Sequence, residues 1–281
     1  MVQLIRAQFF VYFILFGLIG CSRHPALSHY ELAQKLWDKG KYKAAVSEYQ
    51  KVLKKDPKGK LGIQALYQSA FTQFLYLNEY EQAAQEFAKY IKLSRSGESI
   101  WKAQVQLGEI LFVHTKNYDQ AIEIYSDLLK KDPTHKKAPF FLFRKAKSYF
   151  FQWDFEKAIQ YFGDVEKWYP SSPWAEKASY EKGLSYFTSA DELKLRDLKK
   201  VHERFRSAIS QLETFMKDYP KSALIPHAQF LIGNSYEELE EKNQALEIYQ
   251  KLLKNHPTPA LIQVRIHRLN ERIEKAAKEL R

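Results

Sequence analysis

The stretch YDQAIEIYSDLLKKDP, residues 118–133, decides the fold. Tyr118 is followed by Ala121, then by Tyr125 four residues later, and Pro133 closes the segment eight after that. Steps of three and four place the first three side chains on one stripe of a helix. The proline lacks an N–H and clashes with the turn before it, so the helix ends there. The same order returns as Tyr42-Ala45-Tyr49-Pro57 and Phe155-Ala158-Phe162-Pro170. Phe205-Ala208-Leu212-Pro220 and Lys242-Ala245-Tyr249-Pro257 each relax one aromatic position, and Tyr80-Ala83-Phe87 has Arg95 in place of the proline. Prolines 133 and 170 are 37 apart, as are 220 and 257, whereas 57 and 133 are two periods of 38 apart.

Twelve or thirteen residues before the alanine stands a second small residue: Ala33, Ala70, Gly108, Ala146 or Gly233. Each unit therefore reads as two antiparallel helices that approach closely at the small residues, with bulky neighbours filling the groove between units. The pattern resembles the tetratricopeptide repeat, and that resemblance implies an all-α solenoid of about six helix pairs over residues 28–257. In the fifth unit Gly183 and Ala208 are 25 apart, so about 13 residues near Ser189 to Val201 are inserted between its helices. Residues 258–281 continue as an amphipathic helix with Ile262, Ile266, Leu269 and Ile273 on one face. Its expected task is to cap the open end; a helix that binds a partner is the other reading.

The N-terminal end differs from the rest. Arg6 is followed by a twelve-residue apolar run, Phe9 to Gly20, too short for the roughly 20 residues of a membrane span and suited to an export signal. The run stops at Leu18-Ile19-Gly20-Cys21, with Ser22 next, which resembles the lipobox of bacterial lipoproteins. It implies a signal over residues 1–20, lipid attachment at Cys21, and a short linker over 21–27. An ordinary secretory signal with a cysteine near its cleavage site, or a buried N-terminal helix, is the alternative. Cys21 is the only cysteine, so no internal disulfide holds the fold. Ser22 is not the aspartate that retains some lipoproteins at the inner membrane, which favours the outer membrane, facing the periplasm.

Gly and Pro are sparse at ten each in 281 residues, and Ala, Leu, Lys, Glu and Gln dominate, as helices require. The net charge of +11 is spread along the chain among acidic residues, which describes a solvated surface. The excess also suits anionic head groups or an acidic partner. An exported protein does not meet nucleic acid, and none is expected as a partner.

Catalytic chemistry finds no foothold. The eight histidines show no pair at metal-binding helical spacing, and there is no second cysteine. Lys58-Gly59-Lys60 lies between repeats and lacks a phosphate-loop motif; the acidic run Glu237, Glu238, Glu240, Glu241 reads as a helix end. No enzyme activity, cofactor, metal or small-molecule substrate is expected.

Binding is expected on the first helices, which line the inner surface of such arrays. They carry aromatics seven apart: Tyr30 and Trp37, Tyr67 and Phe74, Phe143 and Phe150, Tyr180 and Phe187, with Phe112 alone in the third unit. Two readings stand: packing against the neighbouring helix, or aromatic ledges that grip an extended, partly apolar peptide. Glu237 replaces the second aromatic in the last unit, so any groove fades toward the C-terminus.

Two turns, Tyr169-Pro170-Ser171-Ser172 and Tyr219-Pro220-Lys221-Ser222, share the form Tyr-Pro-x-Ser. With the lipobox, with Lys182-Gly183-Leu184, with an inserted Arg196-Asp197, and with Phe215-Met216-Lys217-Asp218-Tyr219-Pro220 and Ala228, the chain resembles the BamD family of outer-membrane assembly lipoproteins. The resemblance implies a scaffold whose partners are other envelope proteins, a β-barrel assembly protein and its unfolded substrates among them. That family typically has five repeats with the insertion near the third; here six are read, with the insertion in the fifth, and His227 precedes Ala228 where the family often has a charged residue. The second functional reading is an envelope lipoprotein that tethers or regulates cell-wall, Tol–Pal or pilus machinery.

Overall fold

The computed structural model describes residues 25–194 and 197–279, and among them every regular element is a helix. Cys21, the apolar run before it and Arg196 lie outside the described residues. The helices are α1 (Leu27–Asp38), α2 (Tyr42–Lys55), α3 (Lys60–Thr72), α4 (Tyr80–Leu93), α5 (Gly97–Glu109), α6 (Tyr118–Lys131), α7 (Ala138–Phe151), α8 (Phe155–Trp168), α9 (Pro173–Leu193), α10 (Leu198–Asp218), α11 (Ile225–Glu238), α12 (Lys242–Leu252) and α13 (Pro259–Glu279). They fall into two compact units, the first ending at Asn78 and the second beginning at Glu79.

In the first unit α1 packs on α2 and α2 on α3. Its core joins Ala33, Ala45, Tyr49, Val52 and Ala65, with Tyr30 and Trp37 against them. In the second unit α5 pairs with α6, α7 with α8, α9 with α10, and α11 with α12, each pair packing on the next. The first helices α7, α9 and α11 also touch in sequence order.

The small residues act as the spacing predicts. A Cβ added to Gly108 would stand 2.9 Å from the Tyr125 ring, one on Gly233 2.5 Å from the Tyr249 ring, and one on Gly183 2.6 Å from Leu212. The helices of each pair thus approach through the glycine and seat the large side chain of the second helix against bare backbone. Gly183 still meets Leu212 in this register despite the insertion. The added residues lengthen α9 and α10 to 21 residues each, and the extension has its own core of Ala190, Val201 and Phe205.

The two spacings of the small residues have a physical cause. Where the interval is thirteen, after Ala70 and Gly108, the first helix ends in a π-helical turn, Gln73–Leu77 and Ile110–His114. The extra residue is absorbed inside the helix, which keeps register at both ends. Where the interval is twelve, the helix closes in a left-handed residue: Gly40, Trp153 or Glu240. There the next residue's N–H reaches back five residues, as from Lys41 to Leu36, Asp154 to Tyr149 and Glu241 to Tyr236. This is the Schellman closure of a helix end. Asn78 and Lys116 take the same left-handed backbone after the π turns.

The last helix caps the array, as expected. Ile262, Ile266 and Leu269 of α13 are buried with Ala245, Tyr249 and Leu252 of α12, and Ile273 is half-buried.

Candidate protein-binding face

The expected binding residues do not share one environment. Phe112 and Phe143 are buried, at 6% and 7% exposure, whereas Tyr30, Trp37, Tyr67, Phe74, Phe150, Tyr180 and Phe187 are half-buried. In the first unit Tyr30 meets Tyr49 edge-on at 5.8 Å, Trp37 meets Tyr42 at 5.9 Å and Tyr76 at 5.6 Å, and Tyr67 stacks on Phe71 at 6.3 Å. In the second, Phe150 packs on Phe155, Tyr180 on Phe215 and Phe187 on Phe205, all at 5.5–5.8 Å. Tyr30, Trp37, Phe150, Tyr180 and Phe187 therefore pack against a second helix and leave part of themselves at the surface, whereas Tyr67 stacks on Phe71 of its own helix. Packing and ledge are roles one ring can fill together.

Between these rings the second unit carries an ordered strip of charge. The Arg144 guanidinium lies over the rings of Phe112 (4.3 Å) and Phe140 (5.1 Å) and pairs with Glu109 at 3.5 Å. Lys147 of α7 is 3.0 Å from both carboxylate oxygens of Glu181 on α9, and both side chains are 16% exposed. The Lys147 ammonium also lies over Phe150 and Phe151, at 4.8 and 4.9 Å. Phe140 and Phe143 each reach Trp174 at 5.0 Å, and Lys177 covers that indole at 4.6 Å. A cation over an aromatic face gains from the ring quadrupole, the more so when desolvated. A shielded ion pair adds little net stability, but it fixes which neighbours meet. Burial, with Glu181 next to it, pushes the Tyr180 phenol up to about 12, so it is a neutral donor at physiological pH.

In the last unit the position of the second aromatic is held by Glu237. Glu237 takes ion pairs from Arg265 and Arg272 of α13, both at 3.2 Å, and a hydrogen bond from the Tyr249 hydroxyl at 2.9 Å. The cap therefore occupies the polar groups of the last first helix.

A second aromatic series, unforeseen from sequence, runs along the turns inside the repeats. The opening residue of a second helix stacks on the last turn of the following first helix: Tyr42 on Tyr76 at 4.1 Å, Tyr80 on His114 at 3.8 Å, and Tyr118 on Phe151 at 5.2 Å. Tyr76, Val113 and Phe151 remain about 40% exposed. The signal in the sequence is the constant separation of 33 or 34 residues, masked because the partner residue type varies.

The two Tyr-Pro-x-Ser turns fold alike. Ser172 donates its N–H to the Tyr169 carbonyl and Ser222 to that of Tyr219, each at 3.0 Å. Tyr169 Oη donates to the Pro133 carbonyl at 2.7 Å, tying the first turn to the end of the preceding repeat, and Ser222 Oγ donates to Glu176 at 2.5 Å, tying the second to the first helix of its own repeat. A shallow, open depression of about 280 Å³ lies at the second turn, lined by Glu176, Tyr219 and Lys221 among others. Among the described residues no group of three or more His, Cys, Asp or Glu is placed to hold a metal ion, and no helix is long and apolar enough to cross a membrane.

Comparison with known proteins agrees with this geometry. Tetratricopeptide-repeat models match residues 26–58, 70–136 and 227–259. No curated protein matches the sequence. Among solved structures, PilW, described as a widely conserved type IV pilus biogenesis factor, is 16% identical over 85% of this chain and 97% of its own, with a TM-score of 0.50. The C-terminal part of a TPR repeat-containing protein from Cytophaga hutchinsonii is 17% identical over 80% and 78%, with a TM-score of 0.54. At such identities the likeness concerns the fold alone: all-α, a tetratricopeptide-repeat solenoid.

Proposed function

We propose that this tetratricopeptide-repeat protein is a periplasm-facing lipoprotein scaffold, held to the outer membrane through Cys21. It grips an extended segment of a protein partner on the first helices of its second unit. Within this reading the work is assembly of outer-membrane β-barrels, as the resemblance to the BamD family implies, and not catalysis. The observation that carries the binding reading is the strip from Phe112 to Phe187, where the partly exposed rings of Phe150, Tyr180 and Phe187 alternate with charges already fixed by neighbours. Rings held on both sides lose little further entropy when a ligand covers them, while each apolar square ångström covered contributes roughly 25 cal/mol. Backbone groups of an extended segment find donors and acceptors in Lys177, Tyr180 and the rim of the Lys147–Glu181 pair.

The test is photo-crosslinking in cells from single positions carrying a light-activated residue. Lys177 and Tyr180, on the strip, are expected to capture a discrete partner; Glu123, exposed on the second helix α6, is expected to capture none. Equal capture from Glu123 would exclude the first-helix strip as the binding face. The partner's identity separates barrel assembly from tethering of cell-wall or pilus machinery, because the likeness to a pilus factor speaks only to fold.

A further inference from the structure

The end of the first unit where the chain enters is strongly basic. Lys54 and Lys55 close α2, Lys58 follows in the turn and Lys60 opens α3; all four are exposed. Nearby acids have other work. Glu48 is buried and held by Lys51 at 2.5 Å and His29 at 2.7 Å, and Asp56 accepts the Gly62 N–H at 3.1 Å. Among the described residues no carboxylate pairs with Lys54, Lys58 or Lys60. Cations in the last turn of a helix complement its dipole, which accounts for Lys54 and Lys55. It does not account for Lys58, in the turn beyond α2, or for Lys60, which opens α3 where a cation opposes the helix dipole.

A second observation says what this edge faces. Lys55 Nζ donates to the Pro25 carbonyl at 3.3 Å, so the chain emerges beside these lysines. Cys21 precedes Pro25 by four residues, a tether of at most about 14 Å even fully extended, and Arg23 within it adds another positive charge. We infer that the edge formed by Lys54, Lys55, Lys58 and Lys60 is a docking surface for anionic phospholipid head groups. The setting rests on the reading of Cys21 as the lipid anchor: the acyl chains bring the protein to the bilayer, and the lysines fix which edge lies against it. Acyl insertion alone leaves the domain free to swing; opposite charges within a Debye length oppose that.

The experiment uses the chain from residue 21 onward with Cys21→Ala, which keeps every residue of the described cores and removes the anchor. Its partition onto vesicles of phosphatidylglycerol is compared by co-sedimentation with vesicles of phosphatidylcholine alone. Binding to the anionic vesicles only is expected, weakening as salt is raised. Lys54→Gln, Lys58→Gln and Lys60→Gln together are expected to lower the partition coefficient roughly 100-fold, at about fivefold per lysine. Lys39→Gln, Lys41→Gln and Lys43→Gln remove the same charge at the opposite end of α2, roughly 20 Å away, and are expected to leave binding within twofold. All six side chains are exposed, so helix content by circular dichroism should not change. Equal loss from both triplets would assign the attraction to net charge and overturn the proposal, as would equal binding to both vesicle types. The intact mass of the full chain from cells reports lipidation of Cys21 separately, so failure of the anchor and failure of the basic edge are told apart.

Discussion

The ring of Tyr249 packs against Gly233, with Cε1 only 2.5 Å from where a Cβ on that glycine would stand. The ring cannot slide away, because its hydroxyl is held by Glu237 at 2.9 Å and lies 2.7 Å from Asn234 Oδ1. Gly233→Ala should therefore destabilise the protein, although alanine is worth roughly 1 kcal/mol more than glycine inside a helix. Overpacking of this kind costs about 1–3 kcal/mol, so a net loss of up to about 2 kcal/mol is expected in urea unfolding. Gly183→Ala should likewise be destabilising, since the added Cβ would stand 2.6 Å from the fully buried Leu212.

Left-handed backbone at the turns inside the repeats gives a second expectation. Gly40 adopts φ 71° and has open space around it, so Gly40→Ala should lose about 1 kcal/mol from backbone strain alone. Lys116, at φ 53° and exposed, carries that strain already. Lys116→Gly is expected to be neutral or to raise stability by up to about 1 kcal/mol, the relief being offset partly by glycine's freedom in the unfolded chain. A rise in melting temperature for Gly40→Ala would contradict this.

Much of the fold was legible because packing constrains residue size. Gly108, Gly183 and Gly233 mark the close approaches, and the prolines mark the helix ends. The π turns were not legible: an interval of thirteen between Gly108 and Ala121 is visible, but an extra residue inside a helix leaves no signature in residue type. Nor were the left-handed positions, since Lys116, Trp153 and Glu240 are not residues that favour that backbone. For the candidate face, helical spacing identified the stripe but not its depth. Arg144 and Trp174, which close over Phe112 and Phe143, come from other helices and do not enter a count along one helix.

The π turn at Ile110–His114 should tolerate loss of a residue. Deleting Val113, which is exposed within it, shortens the interval to twelve and converts the turn to regular α-helix. A cooperative melt within a few degrees of the parent is expected. Deleting Lys147 from α7 removes a residue where no surplus exists and breaks the Glu181 pair, so its melt should broaden or vanish. Equal effects would refute the account of the two intervals.

Buried phenols make the fold sensitive to alkali. Burial holds Tyr49, Tyr125 and Tyr249 well above their ordinary value, helped for Tyr249 by Glu237, and raises Tyr180 to about 12. A raised folded-state value means that the stability is intact below pH about 10 and is lost as pH climbs through the folded value. Phenolate absorbance should rise in two phases: exposed tyrosines near pH about 10, then the buried ones together with loss of helix. A single phase with helix content unchanged would show the buried phenols to be accessible.

The account stands or falls on what the anchored protein holds. Mild-detergent capture of the full chain from native membranes, with Cys21→Ala as control, read by mass spectrometry, tests it directly. A large β-barrel assembly protein recovered with the anchored chain, and lost or weakened with the control, is the predicted result. Recovery of cell-wall or pilus components with no barrel machinery would contradict it.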